Sequence, residues 1–183
     1  MASKIAPRQR RINRDTKSLC DDPPSVVAGF RLSDDTGTLD MLLRGAHNTV
    51  YAGGAYVVRL LLPERWPFEA PAVEMLTPSG RFETRKRLCM SGITHHHSDQ
   101  YSCLQTFSSI AVGIVSIMEN DLGGLGAVLE GDEERRRLAG SSARHNKEQG
   151  LLSGMVLVGA CSCDDGVDAR PTKRARTAVV VEP

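Results

Sequence analysis

The spacing of apolar and polar residues predicts a helix followed by strands. Basic residues recur through the first 20 positions with Ile12 and Leu19 among them, which predicts a short helix with a narrow apolar face. The Asp-Asp-Pro-Pro run at 21–24 is expected to end it. Apolar stretches separated by turn residues then predict an antiparallel meander, with strands at 26–32, 39–45 and 55–62.

The second half of the chain predicts a loop-rich crossing and then helices. Residues 63–88 contain repeated prolines and little periodicity. Residues 107–118 have the helical spacing of one apolar face, and 132–138 begin with acids and continue with bases, as a helix dipole favours. This order of elements is typical of the α+β class. The composition of the chain changes after about residue 145, first to apolar and uncharged residues and then to polar and basic ones. We therefore predict a core domain at 1–145 and a flexible tail at 146–183.

Composition limits the class of protein. The 183 residues are 40% apolar and 25% charged, as in a globular domain of ordinary size. A net charge of +1 gives no strong field for nucleic acid or an anionic membrane. We expect no membrane-spanning segment, since no apolar run is long enough, and no secretory signal. The 5 irregularly spaced cysteines argue against a secreted disulfide framework and favour a reducing compartment.

Three short motifs are far more specific than composition. They are Tyr51-Ala-Gly-Gly-Ala-Tyr56, the segment Leu62-Pro-Glu-Arg-Trp-Pro-Phe-Glu-Ala-Pro71, and Leu88-Cys-Met-Ser91. In this order they resemble the central signature of ubiquitin-conjugating enzymes. The resemblance implies that family's fold: an N-terminal helix, a four-stranded antiparallel meander, an active-site loop and C-terminal helices. It also implies that Cys89 is the catalytic cysteine.

The chain is most similar to the branch of that family that lacks the usual His-Pro-Asn triplet. That branch carries a T-x-N-G-R-F segment, for which this chain has Thr77-Pro78-Ser79-Gly80-Arg81-Phe82. His95-His96-His97 and the Gly123–Ala127 segment also resemble the branch. Many members serve protein quality control and degradation at the endoplasmic reticulum. The resemblance therefore predicts a cytoplasmic protein with peripheral association with that membrane.

The activity implied is an acyl relay. The Cys89 thiolate would accept ubiquitin as a thioester from the activating enzyme and pass it to a substrate lysine, with a ligase positioning the substrate. The expected partners are ubiquitin, the activating enzyme and a ligase, and no nucleic acid. No metal or organic cofactor is expected, because ATP is used upstream by the activating enzyme.

The resemblance also assigns the loop beside Cys89. Thr77, Gly80, Arg81 and Phe82 are predicted to shape it. Ser79 stands near the family's asparagine, which steadies the loop and the oxyanion, so a weaker oxyanion role or a loop role is expected for Ser79. From the sequence itself, the basic run 85–87 would favour the thiolate if one of its side chains pointed toward Cys89.

Two partner surfaces follow from the same resemblance. The ligase-binding edge is predicted at Phe68, Ser102, Cys103 and Leu104, although Tyr101-Ser102-Cys103-Leu104 replaces the usual W-S-P-A. The contact with the activating enzyme is predicted on the first helix, at Arg8, Arg10, Arg11 and Arg14.

Other interpretations remain open at this point. A catalytically weak or inactive adaptor would keep the fold and bind ubiquitin or a partner enzyme; Ser79 and the altered 101–104 loop favour it. A metal-binding protein would use the histidines 95–97 with Cys161 and Cys163, but that spacing lacks a second ligand pair, and we predict no metal site. In the tail, the apolar run 151–161 would pack, lie at an interface or represent a shortened anchor. The basic patch 171–176 resembles a nuclear-import signal.

Overall fold

The computed structural model describes residues 6–33, 35–94, 100–120, 123, 125–158 and 179–180. The helices are α1 (Pro7–Asp21), α2 (Phe107–Glu119) and α3 (Asp132–Glu148). The strands are β1 (Val27–Ser33), β2 (Thr38–Arg44), β3 (Ala55–Leu61), β4 (Ala72–Met75), β5 (Val156–Leu157) and β6 (Val179–Val180).

Each helix begins where local chemistry favours a start. Pro7 is at the beginning of α1, where its missing N–H costs nothing. Thr106 caps α2, because its side chain accepts from the Ser109 backbone while the Ser109 side chain accepts from the Thr106 backbone. Acidic residues fill the first turn of α3 and His145 and Lys147 lie in its last turn, which complements the helix dipole.

The sheet confirms the predicted antiparallel meander and extends it. Strands β1 to β4 pair in sequence order, and the full order is β4-β3-β2-β1-β5-β6. Strand β4 lies inside the stretch for which the pattern predicted only loop. Strand β5 pairs with β1 through Gly29 and Phe30, and β6 pairs with β5, so two short strands follow the four that were expected.

The main core lies between the sheet and helices α1 and α2. Ile12 and Leu19 of α1 and the apolar face of α2 are buried together with alternate residues of the strands. A second, smaller cluster contains Leu42 and Val57, which alternate with the main-core positions of β2 and β3, and it is covered by Leu151 and Met155.

The domain boundary predicted at residue 145 lies inside a packed element. Helix α3 continues to Glu148, and Asn146 within it is fully buried. Leu151, Met155 and Val158 are also buried. The segment 146–158 is therefore part of the folded domain, because Leu151 and Met155 pack in the smaller cluster and Val158 packs in the main core. The predicted flexibility of the rest of the tail falls mainly on 159–178 and 181–183, outside the described residues.

Candidate active site

The loop after β4 is held by hydroxyl groups. Thr77 is buried, and its Oγ1 accepts from the Val57 N–H at 2.9 Å and donates to Asn146 Oδ1 at 2.6 Å. Ser79 is also fully buried, and its Oγ accepts from the backbone N–H groups of Arg81 at 3.2 Å and Phe82 at 3.3 Å. Ser79 thus satisfies backbone groups within the loop, whereas Thr77 ties the loop to β3 and α3.

Gly80 is required by the turn that follows. Its φ of +71° lies in the left-handed region, where a side chain is strained. An added Cβ would also lie 3.0 Å from Arg135 Cγ and 3.2 Å from Glu130 Cβ. The glycine thus allows α3 and the segment before it to approach the loop closely.

The backbone after α2 crosses the loop and reaches the cysteine. Residues 125–130 are called the crossing segment below. In this segment, the Val128 N–H donates to Arg81 O at 2.9 Å and the Glu130 N–H donates to Gly80 O at 3.2 Å. Leu125 O in turn accepts the N–H of Cys89 at 3.1 Å. The predicted loop, the predicted nucleophile and the crossing segment therefore form one hydrogen-bonded unit.

Cys89 lines a small cavity of about 80 Å³ that is open to the surface. Its thiol is free and partly exposed. The cavity is lined by residues of the loop, of the chain after Cys89, of the end of α2 and of the segment that follows it: Arg81, Phe82, Met90, Ser91, Ile117, Gly123, Leu125 and Ala127. A half-covered thiol in a shallow cavity is accessible to an incoming carbonyl carbon, which a nucleophile requires.

Ser79 does not line this cavity. Its side chain is buried beneath the loop, with Oγ engaged by two backbone donors. The loop role expected for Ser79 agrees with this position, whereas the oxyanion role would require a hydroxyl that faces the acyl group on Cys89.

The basic run before Cys89 does not surround the thiol. Lys86 forms an ion pair with Glu83, and Arg87 lines a different pocket, about 480 Å³ in volume, beside Phe68 and Tyr101. Arg85 is exposed with φ +59°. The condition set for a role of this run at Cys89 is not met by the cavity, because none of the three side chains lines it.

The four residues predicted for the ligase edge are all exposed. Phe68 is 70% exposed and Leu104 81% exposed, the two largest exposed fractions among the exposed large apolar residues of the described chain. Ser102 and Cys103 are exposed beside them. Tyr101 ties the two loops together, because its hydroxyl donates to Pro67 O at 3.0 Å.

The arginines of α1 divide into two pairs. Arg8 Nε donates to Pro63 O at 3.0 Å, and Arg11 bonds Asp15 at 2.7 Å and the carbonyl of Cys103 at 2.9 Å. Arg10 and Arg14 are exposed. Arg8 and Arg11 therefore hold the neighbouring loops at Pro63 and Cys103 against α1. The contact of these four arginines with the activating enzyme stays a prediction.

Several predicted features lie outside the described residues: His95, His96, His97, Cys161, Cys163 and the patch 171–176. Within the part of the chain that is described, there is no cluster of three or more candidate metal ligands. No helix among those residues is long and apolar enough to cross a membrane.

Comparison with known proteins decides the family. The sequence model described as "Ubiquitin-conjugating enzyme" matches residues 11–122, which include the whole meander, Cys89 and α2. The chain belongs to the ubiquitin-conjugating enzyme family. The resemblance predicted from the sequence is thereby confirmed, together with the α+β fold.

Relatives with similar sequences carry two recurrent names. "Ubiquitin-conjugating enzyme E2 6" of Eremothecium gossypii is 31% identical over 146 residues, covering 80% of this chain and 59% of that protein. "Ubiquitin-conjugating enzyme E2 J2" of Homo sapiens is 33% identical over 147 residues, covering 79% of this chain and 56% of that protein. The chain thus spans a little over half the length of these relatives.

A solved structure of the family agrees on fold. The ubiquitin-conjugating enzyme UbcA1 of Agrocybe aegerita superposes with a TM-score of 0.51 at 16% identity, covering 62% of this chain and 83% of that one. At this identity the likeness concerns the fold alone.

Sequence reasoning missed the far wall of the cavity. Ile117, Leu125 and Ala127 line it beside Cys89, yet none was predicted as a site residue. The signal was the density of glycine at 123–126, which permits close backbone approach. Gly126 has φ +80°, and a Cβ there would lie 2.7 Å from Leu88 Cδ2.

Proposed function

We propose that this ubiquitin-conjugating enzyme family member accepts ubiquitin as a thioester on Cys89 and transfers it to a substrate lysine. The observation that carries the proposal is the position of Cys89. Its free, partly exposed thiol lines the open cavity, and its backbone is fixed by the crossing segment.

The chemistry balances without a resident cofactor. The Cys89 thiolate attacks the carbonyl carbon of the thioester on the activating enzyme, and that enzyme's thiolate leaves. A lysine amine then attacks the new thioester, an amide bond forms, the Cys89 thiolate leaves and the amine loses a proton to solvent. Each exchange between thioesters is nearly neutral in energy, so ATP is needed only where ubiquitin is first activated.

The two partner surfaces follow from what is exposed. Phe68 and Leu104 form the centre of the proposed ligase edge, with Ser102 and Cys103 beside them. We assign the contact with the activating enzyme to the exposed side of α1, which carries Arg10 and Arg14.

A role in protein degradation at the endoplasmic reticulum is part of the proposal. It is supported by the resemblance of the 77–82 segment to the corresponding branch and by the relatives named E2 6 and E2 J2. The proposed site of action is the cytoplasm, with peripheral association with that membrane. Nuclear import through the 171–176 patch is an alternative that localisation of a 171–176 deletion would test.

A charging assay tests the activity. The full chain is mixed with activating enzyme, ATP and ubiquitin and run on a non-reducing gel beside Cys89→Ala. The matched control is Cys103→Ala, which removes an exposed thiol from a different loop. We expect a band shifted by one ubiquitin for wild type and Cys103→Ala, lost on reduction, and no such band for Cys89→Ala. A thiol-labile band in Cys89→Ala would overturn the assignment.

The adaptor hypothesis is kept as the second candidate because of Ser79. This hydroxyl is buried and engaged, so the site has no side chain at position 79 to bind the oxyanion. Loss of one such donor costs on the order of a hundredfold or more in rate. If the chain charges but discharges onto free lysine much more slowly than a reference enzyme, and Ser79→Asn does not accelerate it, a binding role gains support. A chain that does not charge beside an active reference enzyme would favour the adaptor outright.

A further inference from the structure

Arg81 is a buried charge that contacts both the end of α2 and the crossing segment. Its side chain is 1% exposed, which is costly for a guanidinium unless it is hydrogen-bonded. Its Nη2 donates to Asn120 O at 2.7 Å, and its Nε donates to the same oxygen at 3.2 Å. Its side chain also lines the cavity that contains Cys89.

The carbonyl that receives Arg81 belongs to the end of α2. Asn120 is the C-cap of that helix, and its own N–H bonds Ile117 O at 3.2 Å. The last carbonyls of a helix are unpaired and lie at the negative end of its dipole. The Arg81 guanidinium is therefore stabilised at this end of α2. Its bonds to Asn120 O fix the position at which the chain leaves the helix.

The backbone of Arg81 holds the other side of the cavity. Its carbonyl accepts from Val128 at 2.9 Å, and Val128 belongs to the same crossing segment whose Leu125 carbonyl accepts from Cys89. Its guanidinium carbon also lies 4.8 Å from the centroid of the Phe82 ring, a cation–π distance, and Phe82 lines the cavity. One residue thus joins the loop, the helix end and the crossing segment.

We infer that Arg81 is a positioning residue for the transfer step: it latches the end of α2 and the crossing segment, and so sets the width of the cavity in which a lysine reaches the acyl group on Cys89. This inference rests on the proposed thioester activity. It assigns to Arg81 a task in transfer rather than in forming the thioester, because charging needs only an accessible thiol, whereas transfer needs walls that orient a small amine.

The size of the effect follows from geometry. Misplacing a reacting group by about 1 Å costs on the order of a hundredfold in rate. Arg81→Lys keeps the charge but replaces the planar fork with a single ammonium on a more flexible stem. We expect it to slow discharge onto free lysine by about tenfold or more, with charging changed less than twofold. Arg81→Met, which removes the charge, should slow discharge further.

The experiment combines kinetics with two readouts that need no ubiquitin. Single-turnover discharge is measured after charging, and amide hydrogen exchange is followed at Cys89 and Val128. Alkylation of Cys89 by iodoacetamide is followed by peptide mass spectrometry. The matched control is Arg31→Lys. Like Arg81, Arg31 donates to a backbone carbonyl, that of Ser153, and it also pairs with the Asp40 carboxylate; neither partner lines this cavity.

The latch predicts faster exchange at both amides and faster alkylation of Cys89 in the Arg81 variants but not in Arg31→Lys. Unchanged exchange and discharge in folded Arg81→Lys would overturn the inference. The inference would also be overturned if charging and discharge fell by the same factor in the Arg81 variants, as general destabilisation in Arg31→Lys would produce. If the wild-type chain does not charge, the proposed function is wrong and the transfer role fails with it, while exchange and alkylation still decide whether Arg81 holds the crossing segment.

Discussion

The buried amide of Asn146 joins the last helix to the active-site loop, and its removal should be strongly destabilising. Its Oδ1 accepts from the Thr77 hydroxyl at 2.6 Å, and its Nδ2 donates to Ala55 O at 2.8 Å. Asn146 and Thr77 are both fully buried. The substitution Asn146→Ala leaves the hydroxyl and the carbonyl without these partners.

The magnitude follows from the burial of each group. A buried hydroxyl that loses its acceptor costs about 1–3 kcal/mol, and the partly exposed Ala55 carbonyl, which water can reach, costs about 1 kcal/mol. The free energy of unfolding should therefore fall by about 2–4 kcal/mol. For a chain of this size that corresponds to a fall in Tm of roughly 5–15 °C.

Urea unfolding of Asn146→Ala beside Asn13→Ala checks this estimate. Asn13 is an exposed amide on α1 that bonds Gln9 at 3.0 Å, so its loss should change the stability by less than about 0.5 kcal/mol. A chain truncated after residue 145 should be destabilised even more than Asn146→Ala. A loss below about 0.5 kcal/mol in Asn146→Ala would refute the reasoning that links α3 to the loop.

Three further substitutions test other parts of the structure. Burial alone would raise the pKa of Asp40, but hydrogen bonds and charges from two flanking arginines outweigh it and hold that pKa below its ordinary value. The ionised Asp40 carboxylate therefore stabilises the fold above about pH 4, and this stabilisation is lost as the pH falls through the lowered pKa of the folded state. In urea melts, Asp40→Asn should be less stable than wild type at pH 7. Its free energy of unfolding should also fall less than that of wild type between pH 7 and pH 3. Gly45→Ala should not fold, because the added Cβ would lie 1.8 Å from Tyr51 O. A thermal unfolding transition like that of wild type, followed by circular dichroism, would contradict this. Phe68→Ala should keep Tm and charging while ligase-stimulated transfer falls about tenfold, and unchanged stimulation would remove Phe68 from the ligase edge.

Elements with strong local periodicity were predictable from the sequence. Helices α1 and α2 have one apolar face, and strands β1 to β3 are short apolar runs between turn residues. Their observed bounds lie within a few residues of the predicted ones. Strand β4 was hidden because it spans only four residues between prolines, and it is held by pairing with β3 rather than by its own pattern.

The end of the folded domain depends on contacts between residues far apart in sequence. Strand β5 has two residues and exists because the edge of β1 is available to pair with it. Met155 is buried against Leu42 and Val57, more than 90 residues earlier in the chain. Local composition instead indicated a tail from residue 146, since no periodic pattern reveals such pairing.

In the candidate site, motifs indicated positions but not side-chain directions. They placed Cys89 and the 77–82 loop, which the structure brings together. They did not reveal that Arg8 and Arg11 bond carbonyls of neighbouring loops, or that Arg87 lines another pocket. Those directions depend on tertiary packing around each arginine.

The most direct test of the central claim is the chemistry of the bond formed at residue 89. In the charging reaction, Cys89→Ser should form a conjugate with one ubiquitin that survives reductant and is released by mild base, because an oxyester replaces the thioester. Peptide mapping of the wild-type conjugate should place the ubiquitin C-terminus on Cys89. A Cys89→Ser conjugate that remains sensitive to reductant, or a wild-type thioester mapped to another cysteine, would contradict the account.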